Sequence, residues 1–348
     1  MRLLIAAVVM CALALSATAQ ARPYFDLGVH DDGAIVFNRG HQQQVMLERA
    51  NELGATWVRT IVYRDRVKGG NFRAYRRAIR AAGHRHLHVQ AVIACNGQVW
   101  NTLDWELYVR RVVRQLGRQV HRWSICNEPN QPGWLTAMPG LDLAASYRLL
   151  YQTGYRVLKT VQPNSQVLFG ELSSNYYPLE FLRRVLCSDS DLQGPNCVQL
   201  KADCLAYHPY QQDNPEAPGN LPFTVGIGSL NLVVEERNKL FGNGLLTTPD
   251  GAQPPPLCLT EFGYQSRGKG HLEERNLPDE VRKQRWGTVL GIACQSPAVQ
   301  QLIIYQLAPN PLSRKTRWDS SIMSRSGHPD KTYFGIRRWR AAHPECMR

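Results

Sequence analysis

From Tyr24 onward the chain alternates short β-type runs with helical stretches, eight times over, and turn residues separate one from the next. Such a rhythm calls for a parallel sheet, because two parallel strands need a long crossover between them and a helix supplies it. Strands are expected at 25–30, 55–63, 87–95, 123–127, 167–172, 204–210, 257–262 and 302–307. Helices are expected at 42–53, 72–82, 103–119, 143–161, 179–186, 229–240, 279–294 and 332–342. Gly54 and Gly83 mark two helix ends, while Asp142 caps the fourth helix and Pro163 stops it.

Eight β-then-α units without a break in composition predict an α/β fold, a single (β/α)8 TIM barrel over residues 22–348. A doubly wound open sheet is the alternative. It would bind a dinucleotide through a glycine-rich turn after the first strand, and here that strand runs into His30-Asp-Asp-Gly33. No cofactor fingerprint is present. The loops after the fourth, sixth, seventh and eighth strands are the longest or the most functional in appearance, which directs attention to the C-terminal face of the barrel.

Residues 1–21 have the form of a secretory signal: Arg2, an apolar run from Leu3 to Leu15, then small and polar residues with cleavage expected after Ala19 or Ala21. The run is shorter than the roughly 20 residues that span a bilayer. The expected product is a secreted or periplasmic protein without an integral membrane segment, read as a monomer. Cys11 leaves with the signal, so the nine cysteines become an even number in an oxidising compartment. Cys187 is expected to pair with Cys197, with Cys204 as a competing partner, and Cys294 with Cys346. Cys95, Cys126 and Cys258 lie in apolar runs and are expected as free buried thiols. No Cys/His spacing suggests a metal.

The formal charge is +13, carried mainly by arginines on helix-like stretches such as 73–80. A solvated basic face explains most of it, and attraction to an anionic polymer is the functional alternative. Nucleic acid is the weakest partner, since no aromatic-basic motif accompanies the charge.

In a barrel, the C-terminal strand ends open into one cleft. The polar residues falling there are His30, Arg59, Asn96, Asn127, Glu128, Glu171, His208, Tyr210, Glu261 and Gln306. Trp100, Trp134, Tyr176, Tyr264, Tyr305 and Trp318 are their aromatic neighbours. Carboxylates among aromatic platforms suit a sugar: ring faces stack on aromatics, and cleaving a glycosidic bond takes one protonated and one ionised carboxyl. Glu128 and Glu261 are the favoured pair. The plainer reading makes each a loop-capping acid or a partner for Arg59. Glu171 is placed equally well and reads as a binding or structural acid. His208 and Tyr210 would share a face if the sixth strand ran through both. His84, His86 and His88 fall at the opposite end of the third strand, where a solvated entrance is expected.

Trp123-Ser-Ile-Cys-Asn-Glu-Pro-Asn130 and Leu259-Thr-Glu-Phe-Gly263 resemble the strand-four and strand-seven signatures of clan A glycoside hydrolases, most closely families 39 and 5. The resemblance covers nearly the whole mature chain. It implies a retaining enzyme that cleaves O-glycosidic bonds, β-linked ones, in an oligo- or polysaccharide. Glu128 would be the acid/base and Glu261 the nucleophile. Asn127 would contact the sugar 2-hydroxyl, Arg59 would keep Glu261 ionised, and His208 and Tyr210 would support the pair, with His30 and Trp134 also at the sugar. Many clan members end strand eight on a tryptophan, whereas this chain has Ile304-Tyr-Gln-Leu307, so Tyr305 is the candidate platform. A carbohydrate-binding barrel without turnover is the rival reading. A lyase or aldolase would want a lysine or a metal cluster at a strand end, and neither is apparent.

Overall fold

The computed structural model describes residues 24–187, 196–269, 274–309 and 318–347, and the expected signal peptide lies outside them. Eight parallel strands close into a barrel in sequential order. They are β1 (Asp26–His30), β2 (Trp57–Val62), β3 (His88–Ile93), β4 (Arg122–Ile125), β5 (Gln166–Ser173), β6 (Cys204–His208), β7 (Leu257–Phe262) and β8 (Val299–Tyr305). The expected (β/α)8 architecture is the observed one.

The helices are α1 (His41–Leu53), α2 (Arg73–Gly83), α3 (Thr102–Leu116), α4 (Leu143–Val161), α5 (Pro178–Leu186), α6 (Leu230–Gly242), α7 (Asp279–Gln295) and α8 (Lys331–Ala342). Their ends follow from their caps. The side chains of Asn101, Asp142 and Asp330 accept from first-turn amides, and Gly54 closes α1 at a φ of 81°.

Each strand is buried on both faces, so its apolar residues do not alternate regularly with solvent-facing polar ones. One face packs on the helices and forms the main core. The other faces the barrel interior, where Leu168, Cys204, Ala206 and Cys258 make a separate small cluster. Strand periodicity puts His208 and Thr260 on that interior face, above the cluster and toward the C-terminal end.

Several boundaries differ from expectation. β4 stops at Ile125 because Cys126 takes a φ of 63°, outside the extended region. β6 stops at His208, since Pro209 has no amide to offer the ladder. β8 lies at Val299–Tyr305, ending where β1 ends, with His30 opposite Tyr305. A short π-helical turn, Asp32–Val36, follows β1, and the 3-10 segment Asp65–Gly70 follows β2.

Four disulfides occur among the described residues. Cys187–Cys197 and Cys294–Cys346 match expectation. Cys95, Cys126 and Cys258 are not free thiols: Cys95 bonds Cys126 and Cys204 bonds Cys258, which also removes Cys204 as a partner for Cys187. The reason is adjacency across the barrel. β3 neighbours β4 and β6 neighbours β7, so cysteines distant in sequence meet side by side. No described helix is long and apolar enough to cross a membrane.

Candidate active site

Arg59, on β2, is fully buried and organises the C-terminal end of the barrel. Its Nη1 donates to Glu261 Oε1 at 2.5 Å and to His30 Nδ1 at 2.6 Å. Its Nη2 donates to Glu171 Oε2 at 2.7 Å and to Asn127 Oδ1 at 2.8 Å. Burial alone would weaken the guanidinium's hold on its proton, but the charges of Glu171 and Glu261 outweigh it and hold the group cationic.

Two irregular strands turn the carboxylates toward this hub. On β7, Leu259 to Phe262 spans three steps while its β8 partners, Leu302 to Ile304, span two. The extra residue lets consecutive side chains both reach the cluster: Thr260 Oγ1 donates to Glu171 Oε2 at 2.9 Å, and Glu261 meets Arg59. β5 repeats the device. Gly170 pairs with Ala206 and Leu172 with Tyr207, leaving Glu171 as the extra residue at a φ of 49°. Gly170 is required there, since its φ is +107° and a Cβ would fall 2.6 Å from the Ala206 carbonyl oxygen. From α4 the Tyr147 hydroxyl accepts the Gly170 amide at 2.9 Å and fixes the bulge.

Glu128 follows the end of β4 at a φ of 44°. Its Oε1 lies 3.0 Å from His208 Nδ1, and His208 Nε2 lies 2.7 Å from Glu171 Oε2. Burial opposes a charge on His208, yet Glu261 and the bonds to Glu128 and Glu171 overcome it and raise its pKa to about 9. Both ring nitrogens are then donors. Burial would also raise Glu171, but Arg59 and His208 pull it down to about 2.

The favoured pair is pushed in opposite directions. Burial raises the Glu128 pKa, with His208 opposing and Glu261 adding to the rise, so desolvation rather than the neighbouring carboxylate is the main cause. Glu261 is just as buried, yet His208 and Arg59 hold it well below the carboxylate range. Tyr210 OH donates to Glu261 Oε2 at 3.0 Å. The cluster therefore holds two cations, two anions and one carboxyl that favours its proton.

A cavity of about 570 Å3 opens beside Glu261, lined among others by His30, Asn96, Trp134, Tyr305 and Gln306. The Tyr305 ring lies 5.0 Å from His30, tilted by 56°. Of the other expected aromatics, Trp318 packs on Tyr210 at 5.4 Å and Tyr176 is exposed. Trp100 and Tyr264 are not platforms; both are buried in the core. Tyr210 reaches the site from beyond β6, so the expected strand alternation with His208 is replaced by a turn at Pro209. His88 lies at the far end of the barrel against Trp57 and His121.

Sequence reasoning missed Thr260 and Gln90, whose Nε2 lies 3.3 Å from Glu171 Oε1. Gln90 had one available signal, an amide inside an apolar strand. Glu128, His208 and Glu261 each place one ligand-type atom within 4.8 Å of the others, the spacing of a cation site. The arrangement does not fit a metal: both His208 ring nitrogens already face carboxylate oxygens of Glu128 and Glu171, and Glu261 is held by the Arg59 cation.

No family model matches the chain, and no curated protein matches it. Solved structures do. A glucosidase from Croceicoccus marinus aligns with a TM-score of 0.63 at 13% identity, over 91% of this chain and 67% of its own. GH5_18 from Streptomyces cattleya, in complex with GlcNAc, aligns at 0.60 and 11%, over 92% and 81%. Virulence factor SghA from Agrobacterium tumefaciens aligns at 0.58 and 12%, over 91% and 97%. At these identities the likeness is one of fold, and the fold this chain shares with them is the closed parallel (β/α)8 barrel.

Proposed function

We propose that the protein is a secreted retaining glycoside hydrolase of the clan A type, acting on β-linked sugars. The observation that carries this reading is the pairing of Glu128 with Glu261: two buried carboxyls with oxygens within 4.8 Å, one favouring its proton and the other held ionised. Retaining enzymes place their carboxyls roughly 5 to 5.5 Å apart, against a wider gap where water must fit between them. The glycosidase names among the structural neighbours support the same class.

In the first step Glu261 attacks the anomeric carbon while Glu128 gives its proton to the departing oxygen. A glycosyl ester forms on Glu261 and the glycosidic bond breaks. Arg59 and Tyr210 keep the attacking carboxylate ionised and aimed. Ester formation removes the Glu261 charge, which lowers the proton affinity of Glu128 and suits it to act as base. In the second step Glu128 takes a proton from water, whose oxygen displaces Glu261 with net retention. Asn127, held by Arg59, would contact the sugar 2-hydroxyl, and Tyr305, Trp134 and His30 would line the sugar's berth. Four disulfides support an oxidising, extracellular or periplasmic setting.

The test is hydrolysis of a panel of aryl glycosides and polysaccharides by the mature protein, with Glu261→Ala as control. Release of aglycone or reducing ends that vanishes in the variant is expected. Glycan binding without cleavage of any substrate would instead support a non-catalytic binding barrel.

A further inference from the structure

The β2–α2 segment forms one wall of the cleft and belongs to no part of the mechanism above. Its shape is irregular. Val67 is buried and pins the turn, Lys68 is extended, and Gly69 and Gly70 take φ values of 63° and 80°. Arg64, Arg66 and Lys68 are thereby exposed, and all three line the cavity that ends at Glu261.

Three of the four acids lining that cavity, Asp31, Asp32 and Glu261, accept hydrogen bonds from fixed donors, and the fourth, Asp65, is exposed beside Arg66. Asp31 accepts the amides of Ala34 and Ala308 at 2.8 and 2.7 Å. Asp32 accepts from the Thr60 hydroxyl at 2.5 Å and the Ile61 amide at 3.2 Å. Arg59 and Tyr210 occupy Glu261. The cations differ: Arg66 has Asp65 at 3.7 Å, while Arg64 and Lys68 have no carboxylate within 4 Å among the described residues. The Arg64 guanidinium lies over the Trp100 ring at 5.4 Å. This cation–π contact does not use the guanidinium N–H groups, which can offer a fork of parallel donors to a planar anion.

A solvated rim is the plainer explanation of charge on a +13 chain. Concavity argues against it here, since a cleft wall focuses the field of its charges on whatever enters. Resting on the glycosidase reading, we propose that Arg64 and Lys68 form a subsite for a sugar bearing an anionic substituent, a carboxylate or a sulfate, and that the substrate is an acidic glycan.

The experiment compares kcat/KM on matched oligosaccharides: a neutral parent, its uronate counterpart and its sulfated counterpart. One anionic form should be favoured by about tenfold, the scale of two partly screened charge pairs. Arg64→Ala/Lys68→Ala should abolish that ratio, chiefly through KM, whereas Arg337→Ala on α8 should keep it. The preference should also shrink between about 0.05 and 0.5 M salt, where screening lengths fall to a few ångströms. Lys68→Glu, an exposed change unable to disturb the core, should reverse it. Which counterpart is favoured separates carboxylate from sulfate. Equal or better cleavage of the neutral parent, or a preference that survives the double variant, overturns this proposal alone. No cleavage of any glycan overturns the glycosidase reading beneath it.

Discussion

The backbone amide of Glu128 donates to the carbonyl of Glu171 at 2.9 Å, and both residues hold a left-handed φ. Non-glycine residues rarely take that conformation, which costs on the order of 1–3 kcal/mol each. Here the two strained positions brace one another across β4 and β5, so the geometry of Glu128 depends on that of Glu171. Glu171→Gln is expected to destabilise by about 3–5 kcal/mol, because it leaves the Arg59 charge short of a buried partner. Chemical denaturation at neutral pH measures the loss.

Removing the proposed proton donor should act on chemistry rather than binding. Glu128→Ala is expected to lower kcat by about 10²–10⁴-fold on a substrate with a poor leaving group. The loss on the first step should be much smaller for a leaving group that departs without a proton. Burst kinetics with a dinitrophenyl glycoside would read this directly, and an equal loss on both substrates would contradict the assignment.

His208 and Glu171 give stability opposite pH signatures. His208 titrates near 6.5 when unfolded and about 9 when folded, so its contribution is complete below pH 6.5 and is lost as pH rises through 9. Glu171 titrates near 4.5 unfolded and about 2 folded, so its contribution is present above pH 4.5 and fades as pH falls toward 2. The Tm gap between wild type and His208→Asn should therefore be widest at and below pH 6.5 and narrow toward pH 9. For Glu171→Gln the gap should narrow on the acid side.

The disulfides should separate into two kinds. Cys95–Cys126 closes a separation of 31 residues and stands one residue before Asn127, whereas Cys187–Cys197 closes 10 residues away from the cleft. Loop-closure entropy assigns the first about 3–4 kcal/mol and the second about 2–3. Replacing Cys95 and Cys126 by alanine should lower both Tm and kcat. Replacing Cys187 and Cys197 should lower Tm with kcat kept.

Tyr305, which lines the cavity beside Glu261, tests the proposed sugar berth. Tyr305→Ala should raise KM about tenfold through lost ring contact, and Tyr305→Trp should retain binding, since an aromatic face is what the position supplies.

The fold was legible because a β-then-α rhythm depends on local periodicity, and helix ends such as Gly54 and Asp142 carry their own signals. The site was legible where a polar residue interrupts an apolar strand or follows its end, as Arg59 does inside β2, His208 at the end of β6 and Glu128 just after β4. What could not be read were features set by strand pairing. Simple alternation would turn either Thr260 or Glu261 away from the barrel interior, and only the mismatch with β8 aims both inward. The partners of Cys95 and Cys204 were hidden for the same reason: each pair lies on, or just past the ends of, adjacent strands, and sequence gives no distance between them.

The Phe25 amide donates to the Cys346 carbonyl at 3.0 Å, and Cys346 is bonded to Cys294 on α7. Phe25 and Cys346 thus meet beneath the barrel, at the mouth opposite Glu261. A covalent link between these two positions would therefore close the backbone into a loop on the side of the barrel away from the cleft, with every strand in place.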